Sequence, residues 1–299
     1  MATSVTKAGL KAAADKVIVA AGPDLEIIKL FATDFSTSFG KKGDAVAVEV
    51  LSATTEAFGS SAGYAHATNK IAPATITLTK HQKSTFSISD VDALDNEFDP
   101  VWDKLAPLSA EAVVGDIVED VLALPTVANA TNTITAASHT TLAHFTAVRK
   151  AFVDLKLAKM SDSVLILSTG AFADLLGVLP QSVIGTGDVI QNASIARFLG
   201  YKAVLESPNM STTSNAWGYI VPSGAIGVAA RLVKALKPGG NLLESGYIQD
   251  DVTGLVLGTR VVVDADQGET FWTVDCNYGC ALTKQSSNGA PGYVAIVSA

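Results

Sequence analysis

Apolar and polar positions along this chain recur with two different periods, and the switches between them mark out its elements. An alanine-rich stretch from Ala8 to Ala21 has helical spacing and stops at Gly22-Pro23. A second helical signal starts near Asp24, with Leu25, Ile28, Phe31 and Phe35 on one face. GKKGD, Gly40 to Asp44, predicts a turn, and Ala45 to Leu51 alternates as a strand does. ATITLT and STFSIS follow at period two, with Ile76, Leu78, Phe86 and Ile88 on the apolar positions. The clearest helix is opened by Pro107 and Ser109 and closed by Pro125. Val113, Val114, Ile117, Val118, Val121, Leu122 and Leu124 take half of its circumference, and Glu111, Asp116, Glu119 and Asp120 the other half. At ~1.5 Å per residue it should be roughly 24 Å long.

Beyond a Thr/Ala/Asn-rich link, Leu142, Phe145, Val148, Phe152 and Leu155 predict an amphipathic helix near Thr140 to Lys159. The pattern then becomes mixed: a buried strand SVLILS, a helix around Ala171 to Leu176, a long loop through Gly185 and Gly187, and a helix near Ile195. YKAVLES reads as a strand, and WGYIVPSGAIGVAA is apolar and glycine-rich. LVLGTRVVVDAD and ETFWTVDCNYGCALT read as two strands joined around Gln267-Gly268. There is no internal repeat, and the elements together predict an α+β protein.

Charge sharpens this picture. From Ala57 to Ser89 there is no acidic residue, while Lys70, Lys80 and Lys83 supply positive charge. From Asp90 to Val148 ten acidic residues face one basic residue, Lys104, so this segment accounts for the net charge of −8. The basic segment is mostly small and hydroxylated residues, too poor in apolar surface to hold itself in place. A basic hairpin arm that rests on another subunit is the expectation. Only 17% of residues are charged, against roughly 25% in ordinary soluble domains. Hydrophobic residues make up 48% and mean hydropathy is +0.33, which points to subunit contacts. No run approaches the ~18 to 20 apolar residues of a helical membrane span. The apolar stretch Val17 to Ala21, preceded by Asp15 and Lys16, is too short and too charged for a signal peptide. Cys276 and Cys280 are too far apart on one strand to bridge and predict reduced thiols in a protein made in a cytoplasm.

The search for chemistry yields little. GSSAG, Gly59 to Gly63, matches the nucleophile elbow in letters and offers Ser61, but a loop-like YAHATNKIAP follows where a helix is required. His66, His81, His139 and His144 form no zinc pattern. GTGDVI has Ile190 in place of a third glycine, and no P-loop lysine exists. Asp90, Asp92, Asp95, Glu97, Asp99 and Asp103 lack the order of a calcium loop and read as a solvated turn or interface face. A pI near 5.0 with scattered lysines argues against a dedicated nucleic-acid groove. No catalytic, cofactor-binding or metal-binding residue is assigned.

The order of parts resembles the major capsid proteins of tailed bacteriophages, with the Hong Kong 97-like capsid fold. The likeness is most specific in DDVTGLVLGTRVVVDADQGETFWTVDCNYGCAL, with a TGL turn, a strand ending in Arg260 to Asp264 and a final strand through Tyr278-Gly279. GDVIQNASIARFLGYKAVLESPNM is similar too. The resemblance implies an N-terminal arm at 1–43, an E-loop at 44–89 and a first part of the P domain at 90–159, with Ser109 to Leu124 as spine helix. An A domain at 160–245 and P-domain return strands at 246–299 complete it. It implies homo-pentamers and homo-hexamers in an icosahedral shell around double-stranded DNA, bound without sequence preference, in a virion assembled in the host bacterial cytoplasm. A portal is implied, and a separate scaffolding protein, since the N-arm begins almost at Met1. Some relatives crosslink an E-loop lysine to a neighbour's asparagine; Lys70, Lys80 or Lys83 with Asn277 or Asn288 would supply the groups, without a motif to fix the pair. An encapsulin-like compartment shell and a soluble hydrolase using Ser61 remain as alternatives.

Overall fold

The computed structural model describes residues 22–52, 70–89, 98–179, 194–196, 198–234, 242–251, 253–264, 266, 268–283 and 292–299. The Ala8–Ala21 helical signal, the Ser61 segment, the acidic residues Asp90 to Glu97 and the Gly185–Gly187 loop lie outside these residues.

A short helix α1 (Gly22–Ile28) leads into strand β1 (Ala32–Phe39). The helical reading through Phe35 is therefore corrected. ATDFSTSF is rich in Ser, Thr and aromatic residues, poor helix formers, and finds a parallel partner in β10 (Ile226–Leu232). After the predicted turn at Gly40–Asp44 come β2 (Ala45–Ser52) and β3 (Lys70–Thr77), which form an antiparallel two-stranded hairpin. β4 (Lys80–Ser89) does not pair with β3. It runs antiparallel to β13 (Glu269–Leu282) over ten residue pairs, from Lys80 opposite Tyr278 to Ser89 opposite Glu269.

Helix α2 (Phe98–Ala123) is longer than expected and contains Pro107. Proline at this position read as a helix start. Burial explains the difference: Ala106, Ala110, Val113, Val114 and Ile117 form one continuous stripe, each 1% exposed or less. That stripe carries the helix through a proline that would break an exposed one. The expected division of its two halves holds from Val113 to Leu122.

The central sheet has the order β1-β10-β13-β12-β11, with β11 (Leu242–Gln249), β12 (Val256–Asp264) and β4 added on β13. β12 and β13 are the expected antiparallel pair around Gly268, which has φ +64°. A second sheet comprises β5 (Asn132–Ala136), β14 (Val294–Ser298), β9 (Ala216–Pro222), β6 (Ser163–Leu167), β8 (Ala203–Glu206) and β7 (Ser194–Ala196), in that order. Ile195 lies on β7 rather than on a helix, because pairing with Val204 across β8 overrides the local signal. Helices α3 (Leu142–Leu155) and α4 (Thr169–Val178) match the expected ones closely.

The cores follow from strand alternation. One face of the second sheet, with Val164, Ile166, Tyr219 and Val221, shares a core with α2 and the central sheet. Its other face, with Leu165, Leu167 and Ile220, packs on Phe145 and Phe152 of α3 and Phe172 of α4. Burial on both faces is why β6 and β9 read as unbroken apolar runs. A third, small cluster joins Val46, Val48, Ile76 and Leu78 of the hairpin to Ala229 of β10.

Candidate functional site

The candidate site is the region where the basic segment meets the rest of the chain, and β13 organises it. Its even-numbered side chains, Trp272, Val274, Cys276 and Tyr278, enter the core under α2. The side chains of Asp275 and Asn277, and the bare backbone of Gly279, face the opposite side of the sheet. β4 alternates in the same way. Gln82 Nε2 donates to Asp116 Oδ2 at 2.8 Å, and Lys80 Nζ lies 2.6 Å from both carboxylate oxygens of Asp120. Tyr278 donates its hydroxyl to Asp120 Oδ2 at 2.5 Å. Burial first, and then the bond to Asp120, push the Tyr278 hydroxyl well above the usual phenol range. Asp120, read from the sequence as part of the polar half of the helix, is the point where α2, β4 and β13 meet. Phe86 packs against Trp272 with ring centroids 5.2 Å apart and planes inclined at 45°.

The opposite face carries a buried charge. The Asp275 side chain is 3% exposed; Arg260 Nη2 lies 2.5 Å and His81 Nε2 3.4 Å from its Oδ2. Lys83 is its register partner on β4. Burial raises the Asp275 carboxyl above its ordinary value, and Arg260, His81 and Lys83 offset only part of that shift. Space for the carboxylate exists because residue 258 is glycine: a Cβ there would overlap Asp275 Oδ1. The neighbouring Asn277 is buried and donates from Nδ2 to the Gly40 carbonyl at 2.8 Å.

For residues 70–89, these contacts correct the expectation of a basic segment too poor in apolar surface to be held within its own chain; its first part, 57–69, lies outside the described residues. Ile76 and Leu78 are fully buried and Phe86 is partly buried within the subunit. Lys80 has its acidic partner in the same chain. Of the proposed crosslinking groups, Asn277 is not presented to a neighbour, while Asn288 and the side chain of Lys70 lie outside the described residues. The remaining polar residues are dispersed. His139 Nδ1 is 2.8 Å from Asp174, and His144 Nδ1 is 3.0 Å from Thr141 Oγ1. Cys276 is a free, buried thiol raised to about 12 by burial and Asp275; Cys280 is free and raised to about 11 by burial and Asp120. Neither has the thiolate character of a reactive cysteine. Among the described residues no group of His, Cys, Asp and Glu is placed to hold a metal ion, and no helix is long and apolar enough to cross a membrane. What this geometry can do is mechanical: it fixes the β2–β3 hairpin and β4 onto a helix and a sheet.

Sequence reasoning missed Asp275, Arg260 and Tyr278, because each sits on a strand whose partners are remote in the chain. The alternation of WTVDCNYG was a usable signal, since it puts Asp275 and Asn277 on one face and apolar residues on the other.

Comparison with known proteins gives a consistent picture. Residues 72–285 match the sequence family described as phage capsid protein. No curated protein matches the sequence. Among solved structures, the fold is similar to that of Mycobacterium phage Adephagia, at TM-score 0.50 and 14% identity over 91% of this chain and 89% of that one. Mycobacterium phage Cain gives TM-score 0.50 and 13% identity over 91% and 90%. Microbacterium phage Oxtober96 gives TM-score 0.50 and 12% identity, again over 91% and 90%.

Proposed function

We propose, because the chain belongs to the phage capsid protein family as a major capsid protein of the Hong Kong 97-like fold, that its copies form pentamers and hexamers closing into an icosahedral shell around double-stranded DNA. Assembly into a multimeric shell of the virion goes with that family. The family match from the hairpin's return strand to the end of β13 is the observation that carries this reading. Residues 1–43 serve as the N-terminal arm and 44–89 as the E-loop. Residues 90–159 form the first part of the P domain, 160–245 the A domain, and 246–299 the return strands. The hairpin β2–β3 falls in the second of these segments and α2 in the third. A scaffolding protein and a portal act in assembly, which takes place in the host cytoplasm, and the shell contacts DNA without reading its sequence. The role is structural rather than catalytic.

Large apolar side chains left on the surface support association between copies: Phe39 is 64% exposed, Leu108 59% and Tyr247 57%. Electron microscopy of the purified chain tests the reading. Closed particles are expected, with DNA inside when they are isolated from infected cells. A single compact species of 30.8 kDa at every concentration in sedimentation would overturn it. Particles containing a cargo protein instead of DNA would favour the encapsulin-like alternative.

A further inference from the structure

Three glycines leave bare backbone where the root of the β2–β3 hairpin sits. Gly227 lies on β10, Gly279 on β13, and Gly40 directly follows β1. A Cβ at Gly279 would overlap the Thr77 carbonyl oxygen and lie 3.2 Å from Leu78 Cα, and backbone atoms cannot swing aside. A Cβ at Gly227 would come 2.6 Å from Ile76 Cδ1, and one at Gly40 2.8 Å from Leu78 Cδ1 and 2.7 Å from Arg231 Cβ. None of the three has a positive φ. They are glycine for close contact, not for conformational freedom.

Hydrogen bonds tie the same region to two strands independently. Gly40 N donates to the Leu232 carbonyl at the end of β10 at 2.9 Å, and the Gly40 carbonyl accepts from Asn277 Nδ2 of β13 at 2.8 Å. Within the root, Gly43 N donates to the Leu78 carbonyl at 2.7 Å and Leu78 N to the Asp44 carbonyl at 2.9 Å. Val46, Val48, Ala74, Ile76 and Leu78 are all buried. Segments that move are drawn from regions with few buried contacts; the inward-facing residues of this root are buried, while Lys41 to Ala45, Ala47, Thr75 and Thr77 are exposed.

We propose that this glycine seat makes the hairpin root a fixed anchor, so that 44–48 and 74–78 stay docked on β10 and β13 as one unit with the central sheet. The anchor does not depend on reading the hairpin as an intersubunit E-loop.

Hydrogen exchange on the full chain, read by mass spectrometry, tests it. In the wild type, amides of 45–48 and 74–78 should be protected like those of β10 and β13. Gly227→Ala should speed exchange in those two segments by about tenfold while leaving 256–264 unchanged, as expected of a local opening. Adding Ile76→Val removes the clashing Cδ1 and should restore protection. The proposal is overturned if the wild-type root exchanges freely, if Gly227→Ala has no effect or accelerates β12 equally, or if the second substitution gives no rescue. Electron microscopy of the same samples separates the two readings. Absence of wild-type shells counts against the capsid function while the exchange contrast still decides the anchor.

Discussion

On the side of β13 that meets α2, Trp272, Val274, Cys276 and Tyr278 pack into an apolar core with Val113, Val114, Ile117 and Val121. One residue away, on the other side of the same strand, stand Asp275, Asn277 and Gly279, against Arg260, His81 and the root of the hairpin. The first face holds by removing apolar area from water, worth about 25 cal/mol per Å². The second contributes little area. It holds by close backbone approach and by a buried ion pair, which costs desolvation and fixes geometry more than it adds stability. A single strand thus divides stability from placement: the α2 side keeps the subunit folded, and the opposite side decides where the arm leaves it.

The sharpest test of that division is Ile117→Asp. A buried, unpaired carboxylate costs several kcal/mol, most of a typical domain stability of ~5–15 kcal/mol. Folding and assembly should both be lost, measured by thermal melting and particle yield. Glu111→Gln, on the exposed half of the helix, should stay within about 0.5 kcal/mol. It also removes a like charge that, after burial, helps hold Asp24 above its ordinary value. Equal losses from both substitutions would mean that the two faces of α2 are assigned the wrong way round.

The α2 side was largely legible from the sequence, and the opposite side was not. Val113 to Leu122 advertise a helical stripe, and SVLIL advertises a buried strand, because hydrophobic periodicity is a local property. The pairing of β4 with β13 joins Lys80 to Tyr278 across about two hundred residues of chain, and nothing local announces it. Charge pattern gave part of the answer: among the described lysines of the basic segment, Lys80 meets Asp120 of α2 within the subunit, while Lys83 stands opposite Asp275 of β13. Pro107 misled because its local preference was outweighed by the burial of Ala106 and Ala110.

The second prediction concerns the polar side. Arg260→Leu removes one partner of a buried pair and should cost about 3–5 kcal/mol, more than Asp275→Asn, which keeps the shape and drops the charge. The pH dependence has a definite sign. The folded-state pKa of Asp275 lies above its unfolded value, so its contribution is fully present below the ordinary carboxylate range and is lost as pH rises through the folded value. Wild type should therefore gain melting temperature relative to Asp275→Asn as pH falls from neutral toward 4. A relative loss on acidification would show that the ion pair outweighs burial.

Tyr278→Phe comes next in size. The variant keeps the ring in the core and deletes the hydroxyl that donates to Asp120, a bond to a charged acceptor worth about 1.5–3 kcal/mol. Exchange should quicken in β4 near Lys80 as well as at the end of α2, because Asp120 serves both. A loss confined to α2 would show that the tyrosine does not help to place the return strand.

The smallest expected effect is the most discriminating. Lys80 is 49% exposed and its ion pair with Asp120 should be worth only ~0–1 kcal/mol, less at high salt. Lys80→Glu should loosen β4 slightly at low salt, and the difference from wild type should shrink at high salt. Asp120→Asn keeps an oxygen that can accept from the Tyr278 hydroxyl, so a double-mutant cycle of Lys80→Met with Asp120→Asn isolates the ion pair. The coupling should be the same in unassembled subunits as in shells, because the observed contact is internal. A coupling that appears only in shells would return the charge pattern to an interface between subunits. The α2 side of the sheet would then serve assembly directly, besides keeping the subunit folded.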